Sequence, residues 1–213
     1  MLHTILPDRR AELKARHRLA ILDAADALIR ERGKPRFSVD ELAERANVAR
    51  RTIFNHFSSL DDVILTTCTR VLSTVVDEFR ENAAALPVGD GSRSSLFNEI
   101  TASLRAIDLP SVVSYLWGVL ADEGDAGRSA NAVQQVFTRT SEQLAIEMAA
   151  RSTELDEFDV AILVSSLMNG IAVVSRYWMV ETGATLDAAS RARWDELLER
   201  LITNVSAGYS LAD

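Results

Sequence analysis

The chain has 213 residues, 47% of them hydrophobic, and a formal net charge of -8. This length and apolar content are sufficient for a globular protein with a buried core. Cys68 is the only cysteine, which excludes an internal disulfide, and we predict that it is a small buried residue. The longest apolar run, residues 160–174, is shorter than the ~20 residues that span a bilayer. We therefore expect a cytoplasmic protein without a membrane partner, metal or cofactor.

Charge is distributed unevenly along the chain. Residues 1–57 hold 12 Lys and Arg against 8 Asp and Glu, a net charge of +4. Residues 58–213 hold 11 against 23, a net charge of -12. A cationic segment on an acidic body is attracted to a polyanion through one face only. The first 57 residues are therefore the candidate polyanion-binding part.

Helical periodicity dominates the sequence, and no stretch alternates with period two for long enough to predict a sheet. We therefore predict an all-α fold. The first helix is predicted from about Asp8 to Arg32, and Gly33 is expected to adopt the left-handed conformation that ends a helix. The apolar face of this helix is predicted to contain Leu13, Leu19, Ala20, Leu22, Ala24, Ala27 and Leu28.

Two short helices are predicted next. Ser38 and Glu41 have the spacing of a capping box, which predicts a helix from Val39 to about Ala46. Asn47 stands where a left-handed turn residue is needed, and residues 49–57 are predicted as the third helix. The side chains expected to point inward are Val48, Ile53, Phe54 and Phe57. This pattern is typical of a helix-turn-helix, although a solvated amphipathic helix in a bundle is the alternative.

The remainder of the chain is also predicted to be helical. A fourth helix follows the capping residue Ser59 and continues to about Ala85, and residues 86–95 are predicted as a loop because they are rich in Gly, Ser and Pro. Further helices are predicted over residues 95–107, 110–122, 128–151, 156–182 and 188–207.

The stretch FSVDELAERANVARRTIFNHFSSLDDVI, preceded by AILDAADALIRERG, resembles the N-terminal DNA-binding domain of the TetR family of transcriptional regulators. The first helix, the capped second helix, the T-aromatic-x-x-F core and the acidic start of the fourth helix occur in the family's order. The resemblance implies a helix-turn-helix DNA-binding domain over residues 1–58. It also implies a helical ligand-binding and dimerisation domain over residues 59–213.

The resemblance further implies that the third helix contacts DNA. An Arg side chain can pair with guanine, Asn can pair with adenine, and Thr or His can donate to phosphate. The predicted DNA-binding residues are Ser38, Arg50, Arg51, Thr52, Asn55, His56 and Arg16.

Three residues depart from the usual pattern of the family. Leu60 and Phe54 replace a lysine and a tyrosine that donate to phosphate, and Asn47 replaces a turn glycine. The first helix offers substitute donors, although the same residues are equally consistent with a solvated helix end. These residues are Arg9, Arg10, Lys14, Arg16 and Arg18.

One recognition helix gives a small interface, so a homodimer that reads two half-sites is expected. The apolar helix over residues 156–181 and the last helix are predicted to form the dimer interface, as the family arrangement also implies. The alternative is that both helices bury their apolar faces in their own core. The predicted interface residues are Leu163, Leu167, Gly170, Ile171, Val174, Leu198, Leu201 and Ile202.

The helices over residues 95–151 are expected to enclose a small-molecule effector. Aromatic and methionine side chains indicate a largely apolar or aromatic ligand, although each is first a candidate core residue. The predicted ligand-binding residues are Phe97, Tyr115, Trp117, Phe137, Met148 and Trp178.

The predicted function is a repressor that a small ligand releases from a double-stranded DNA operator. An activator or a ligand-independent regulator is the alternative within this class. A helical-bundle enzyme or binding protein is the remote alternative, and we find no catalytic groups at useful spacing for it.

Overall fold

The computed structural model describes residues 9–87, 89–120, 138, 141–152 and 154–209. These ranges contain nine helices and no strand, which confirms the all-α prediction. The helices are α1 (Arg9–Arg32), α2 (Val39–Arg45), α3 (Arg50–His56), α4 (Leu60–Ala85), α5 (Arg93–Arg105), α6 (Leu109–Leu120), α7 (residues 141–149), α8 (Glu157–Thr182) and α9 (Ala188–Tyr209).

The predicted helix boundaries agree closely with the structure wherever a local signal marks them. Helix α5 begins two residues earlier than predicted because Ser92 caps it, accepting a hydrogen bond from Ser95 N at 3.2 Å. Half of the helix predicted over residues 128–151 lies outside the described residues.

The chain forms two compact units. Among the described residues, the first unit contains those up to Arg70 together with Gly118–Leu120, and the second contains Val71–Trp117 and the residues from 138 onward. Helix α4 contributes to both units because the division falls between Arg70 and Val71.

The first unit is built by packing α2 and α3 against α1. Leu42 and Ile53 are almost fully buried, and the buried positions of α1 begin only at Ile21. Leu13 and Leu19, which we expected on the apolar face, are therefore exposed. The reason is geometric, since α2 and α3 have seven residues each and cannot cover all 24 residues of α1.

The left-handed residues and the capping box that we predicted for this unit are confirmed. Gly33 and Asn47 have φ values of 66° and 51°, in the left-handed region. Ser38 Oγ accepts a hydrogen bond from Glu41 N at 3.2 Å, and Ser38 N donates to Glu41 Oε2 at 2.7 Å. Both halves of the predicted capping box are thus present at the start of α2.

Cys68 lies in α4 and is 1% exposed, as predicted. Burial raises the pKa of its thiol to about 12, with a smaller contribution from the charge of Asp26. The thiol is therefore protonated at neutral pH and behaves as a small apolar side chain.

The second unit has its core along α8 and α9. Trp178 packs edge-to-face on Trp194, with ring centroids 5.5 Å apart, and its Nε1 donates to Ser190 O at 2.7 Å. Gly170 lies against Leu201, so that a Cβ at residue 170 would approach Leu201 Cδ1 to 2.1 Å. These two helices therefore pack closely within one chain.

Helix α8 is long and apolar enough to cross a membrane by length and composition alone. One face of the helix is nevertheless buried in the core of the second unit. The buried residues on that face are Val160, Leu163, Val164, Leu167, Ile171, Val174 and Trp178.

We expect Gly118→Ala to destabilise the protein by about 1–3 kcal/mol, because overpacking forces the backbone to shift. A Cβ at residue 118 would lie 2.2 Å from Gly33 O, a backbone atom that cannot rotate away. The control is Gly208→Ala near the end of α9, where a Cβ meets nothing within 4 Å. Urea unfolding followed by circular dichroism measures both variants, and equal stabilities would contradict the close contact.

Candidate nucleic-acid interface

Helix α3 presents one buried and one exposed side. Ile53 and Phe57 anchor it in the core of the first unit. Arg50, Arg51 and Asn55 are exposed. Thr52 and His56 are half-buried, and the hydroxyl of Ser38 is engaged in capping α2. The predicted DNA-binding residues of α3 therefore lie on or beside its solvent-facing side.

Phe54 is 47% exposed, so our expectation that it points inward was wrong. Residues 53 and 57 lie almost one above the other on a helix, whereas residue 54 is rotated by about 100° from residue 53. A seven-residue helix packed through Ile53 and Phe57 therefore leaves Phe54 at the edge of its buried face.

Acidic residues neutralise several arginines of this unit. Arg50 Nη1 lies 3.3 Å from both carboxylate oxygens of Asp40 in α2. Arg32 Nη2 lies 2.8 Å from Glu41 Oε1. A further ion pair joins Arg45 to Glu31. In contrast, Arg51 has no ion-pair or hydrogen-bond partner among the described residues, so its guanidinium is available to an external anion.

The end of α3 meets the N-terminal half of α1. Arg18 Nη1 donates to His56 O at 3.3 Å, and the Arg18 guanidinium lies 4.5 Å from the centroid of the Phe57 ring. The His17 and His56 rings meet edge-to-face at 6.3 Å. Burial lowers the pKa of His56, and the nearby charges of Lys14, His17 and Arg18 lower it further.

A cleft of about 440 Å³ opens between these two helices. Its lining side chains come from two turns of α1 and from the last two residues of α3. They are Ala11, Lys14, Ala15, Arg18, Asn55 and His56. Arg16, which we predicted as a DNA contact, is exposed on α1 but is not among them.

The predicted ligand-binding residues occupy different environments in the second unit. Tyr115, Met148 and Trp178 are buried, Phe97 is half-buried, and Phe137 lies outside the described residues. Trp117 is exposed. Because Trp178 is held by Ser190 and Trp194, its contacts are those of a core residue.

Six of the eight predicted dimer residues are buried within the chain itself, namely Leu163, Leu167, Ile171, Val174, Leu198 and Ile202. Gly170 and Leu201 are half-buried and lie against each other. These six side chains belong to the hydrophobic core of the second unit. The periodicity of α8 correctly identified an apolar face, and the structure uses that face for packing within the chain.

No group of three or more His, Cys, Asp or Glu side chains suited to a metal ion occurs in the described parts of the chain. In the first unit, Asp40 and Glu41 are engaged instead with arginines and with the start of α2.

Comparisons with known proteins agree with this architecture. Residues 21–66 match the sequence profile of the "Bacterial regulatory proteins, tetR family". No curated protein matches the chain. A TetR-family transcriptional regulator from Mesorhizobium loti has a similar structure, with a TM-score of 0.61 and 16% identity over 93% of this chain and 97% of that one. Another from Streptomyces coelicolor has a TM-score of 0.55 and 18% identity, covering 90% and 98% of the two chains.

The first unit is a helix-turn-helix at the N-terminal end of an all-α chain, an architecture in which DNA-binding proteins place the second of the two short helices in the major groove. Residues 21–66 match the N-terminal domain of the TetR family, and the chain shares the fold of the two TetR-family structures. The resemblance seen in the sequence is thereby confirmed.

We expect Glu41→Gln to destabilise the protein at neutral pH and to have a much smaller effect near pH 2. The hydrogen bond from Arg32, followed by that from Ser38 N, lowers the pKa of Glu41 from 4.5 to about 2. The stabilisation by this carboxylate is therefore present above about pH 4.5 and disappears as the pH falls towards 2.

The measurement is the melting temperature of the variant and the wild type between pH 2 and 7. Glu44→Gln, an exposed change on the same helix, serves as the control. A difference between wild type and Glu41→Gln that stays constant over this range would contradict the assignment.

Proposed function

We propose that the protein binds a double-stranded DNA operator as a homodimer and represses transcription until a small ligand releases it. The observation that supports the DNA-binding part is the exposed side of α3, where the unpaired Arg51 and the amide of Asn55 lie one helical turn apart. An Arg fork and an Asn amide are the side chains that read guanine and adenine in the major groove.

Arg50 and Arg51 have different roles in this proposal. Arg51 is free to contact a base or a phosphate. Arg50 is held by Asp40, and a DNA phosphate at the same place would be repelled by that carboxylate. Asp40 therefore favours contacts of Arg50 in which the Arg50–Asp40 ion pair stays intact, such as a contact with a base edge. Contacts that require this ion pair to break are disfavoured.

We expect Arg51→Ala to weaken binding to the preferred sequence by about 5- to 150-fold, which corresponds to the ~1–3 kcal/mol of a bidentate base contact. The DNA would be selected by the wild type from a random duplex library, and affinities would be measured by fluorescence anisotropy at fixed salt. Arg200→Ala, an exposed arginine of α9, is the matched control. Unchanged binding by Arg51→Ala would contradict the role of α3, and the absence of any selected sequence would contradict DNA binding itself.

The proposed dimer interface is the exposed face of α8. Large apolar side chains recur along this face at helical spacing, opposite the buried face of the same helix. They are Phe158, Ile162, Val173, Tyr177 and Val180. Between them lie the exposed Ser165, Asn169 and Ala172, whose small or polar side chains allow a second helix to approach. An apolar stripe of this length is typical of a protein-protein interface.

We expect Val173→Arg to convert the dimer into a monomer, because it introduces two unpaired charges into one symmetric interface. Light scattering coupled to size-exclusion chromatography measures the mass, with 23.4 kDa expected for one chain. Leu186→Arg is the control, since Leu186 is similarly exposed but lies between α8 and α9. A dimeric Val173→Arg, or a monomeric wild type, would contradict this interface.

Release by a ligand is supported by the continuity of α4. Its first part contributes Val63 to the first unit, and its later part contributes Val76 and Phe79 to the core of the second. A ligand that shifts the later part of a continuous helix also shifts its beginning, and a coupling of about 1–3 kcal/mol changes operator affinity by about 5- to 150-fold.

The test is a screen of apolar and aromatic compounds for release of the selected operator. An active compound should also raise the melting temperature of the free protein, since it binds the folded state. If no compound changes operator affinity, ligand control is contradicted while DNA binding by α3 stands.

A further inference from the structure

The cleft between α1 and α3 has the features of an anion-binding site. Its wall on α1 carries Lys14 and Arg18, which lie one helical turn apart on the same face. Ala11 and Ala15 have only methyl side chains and leave the space between the helices open. None of the six lining residues is acidic.

The two cations of the cleft differ from the arginines of this unit that pair with carboxylates. Arg18 is fixed in place by His56 O and by the face of the Phe57 ring, and neither contact neutralises its charge. Lys14 has no ion-pair or hydrogen-bond partner among the described residues. In contrast, Arg32, Arg45 and Arg50 each pair with a carboxylate. The positive charge of the cleft is therefore uncompensated, which favours an anion from outside.

The position of the cleft indicates which anion it takes. Asn55 belongs both to the exposed side of α3 and to the lining of the cleft, so that an anion bound there would flank the bases that α3 reads. The side chains of Phe54 and Leu60, at and just after α3, have no hydrogen-bond donors. These two side chains therefore cannot contribute to the phosphate contacts that position the protein on the duplex, and the cations of the cleft are additional donors beside α3.

We propose that this cleft binds a backbone phosphate of the operator, with Lys14 and Arg18 as the cationic donors and Asn55 and His56 completing the site. The inference rests on the proposed DNA-binding function and adds a phosphate anchor that acts independently of base recognition. Free inorganic phosphate has the same chemistry, so the experiment must distinguish the two sources.

The experiment compares Lys14→Gln with Lys34→Gln in the full-length protein. Lys34 is the only other lysine in the chain, and it is exposed in the segment between α1 and α2. Both substitutions remove one charge from the same unit. The affinity for the selected operator and for an unrelated duplex is measured between 50 and 300 mM salt, in the manner of a counterion-release analysis.

We expect Lys14→Gln to weaken binding to both duplexes by the same factor. It should also reduce the slope of log affinity against log salt by about 0.9 for each subunit bound, while Lys34→Gln leaves the slope unchanged. An unchanged slope for Lys14→Gln overturns the cleft assignment. If Arg51→Ala still impairs operator binding in that case, the proposed function survives.

A second measurement addresses free phosphate. The imidazole NMR signals of His56 are followed while inorganic phosphate is added to the free protein. The proposal expects no saturable change below about 10 mM phosphate, because one free ion lacks the duplex that holds a backbone phosphate in place. Two results together would overturn the proposal in favour of a free-anion site. The first is saturation of the His56 signals at lower phosphate concentration in the wild type but not in Lys14→Gln. The second is an unchanged salt slope of Lys14→Gln on DNA. A wild type that binds no duplex would overturn both this inference and the proposed function.

Discussion

The burial of Ile53 and Phe57 against α1 is the interaction on which the N-terminal unit depends. Helix α3 has only seven residues, which is too short for a stable helix in isolation. Its structure must therefore come from packing. The same packing fixes the rotation of α3 about its axis and so determines which side chains face the solvent. The turn at Asn47 and the capped start of α2 set the direction from which α3 arrives.

The local signals in the sequence predicted most of the fold. A capping box, a left-handed turn residue and a terminating glycine each depend on a few neighbouring residues, and all three occur as expected at Ser38, Asn47 and Gly33. The exposure of Leu13 and Phe54 was not predicted, because it depends on how far short helices cover a long one. The pairing of Arg50 with Asp40 was missed for a similar reason, since the two residues are ten positions apart on different helices.

Helix α8 shows what the hydrophobic periodicity of a sequence does not determine. The helix carries apolar residues on two opposite faces, one inside the chain and one exposed. A sequence pattern records both faces but does not state which neighbour covers each. The predicted dimer residues lie on the face that packs within the chain. The close approach of Gly170 to Leu201 shows this packing, and it is visible only in the three-dimensional structure. The exposed face became a candidate interface only once the first face had been assigned.

The carboxylates beside Arg32, Arg45 and Arg50 also have a kinetic consequence. A positively charged surface accelerates the diffusional encounter with a polyanion, and internal ion pairs reduce that long-range field. The body of the chain is acidic, with a net charge of -12 over residues 58–213. If the chain binds DNA as proposed, its approach is productive in few orientations, in which the unpaired cations Arg51 and Lys14 meet the duplex first. Under the proposed function, the protein would capture DNA more slowly but would also spend less time bound to unrelated duplexes.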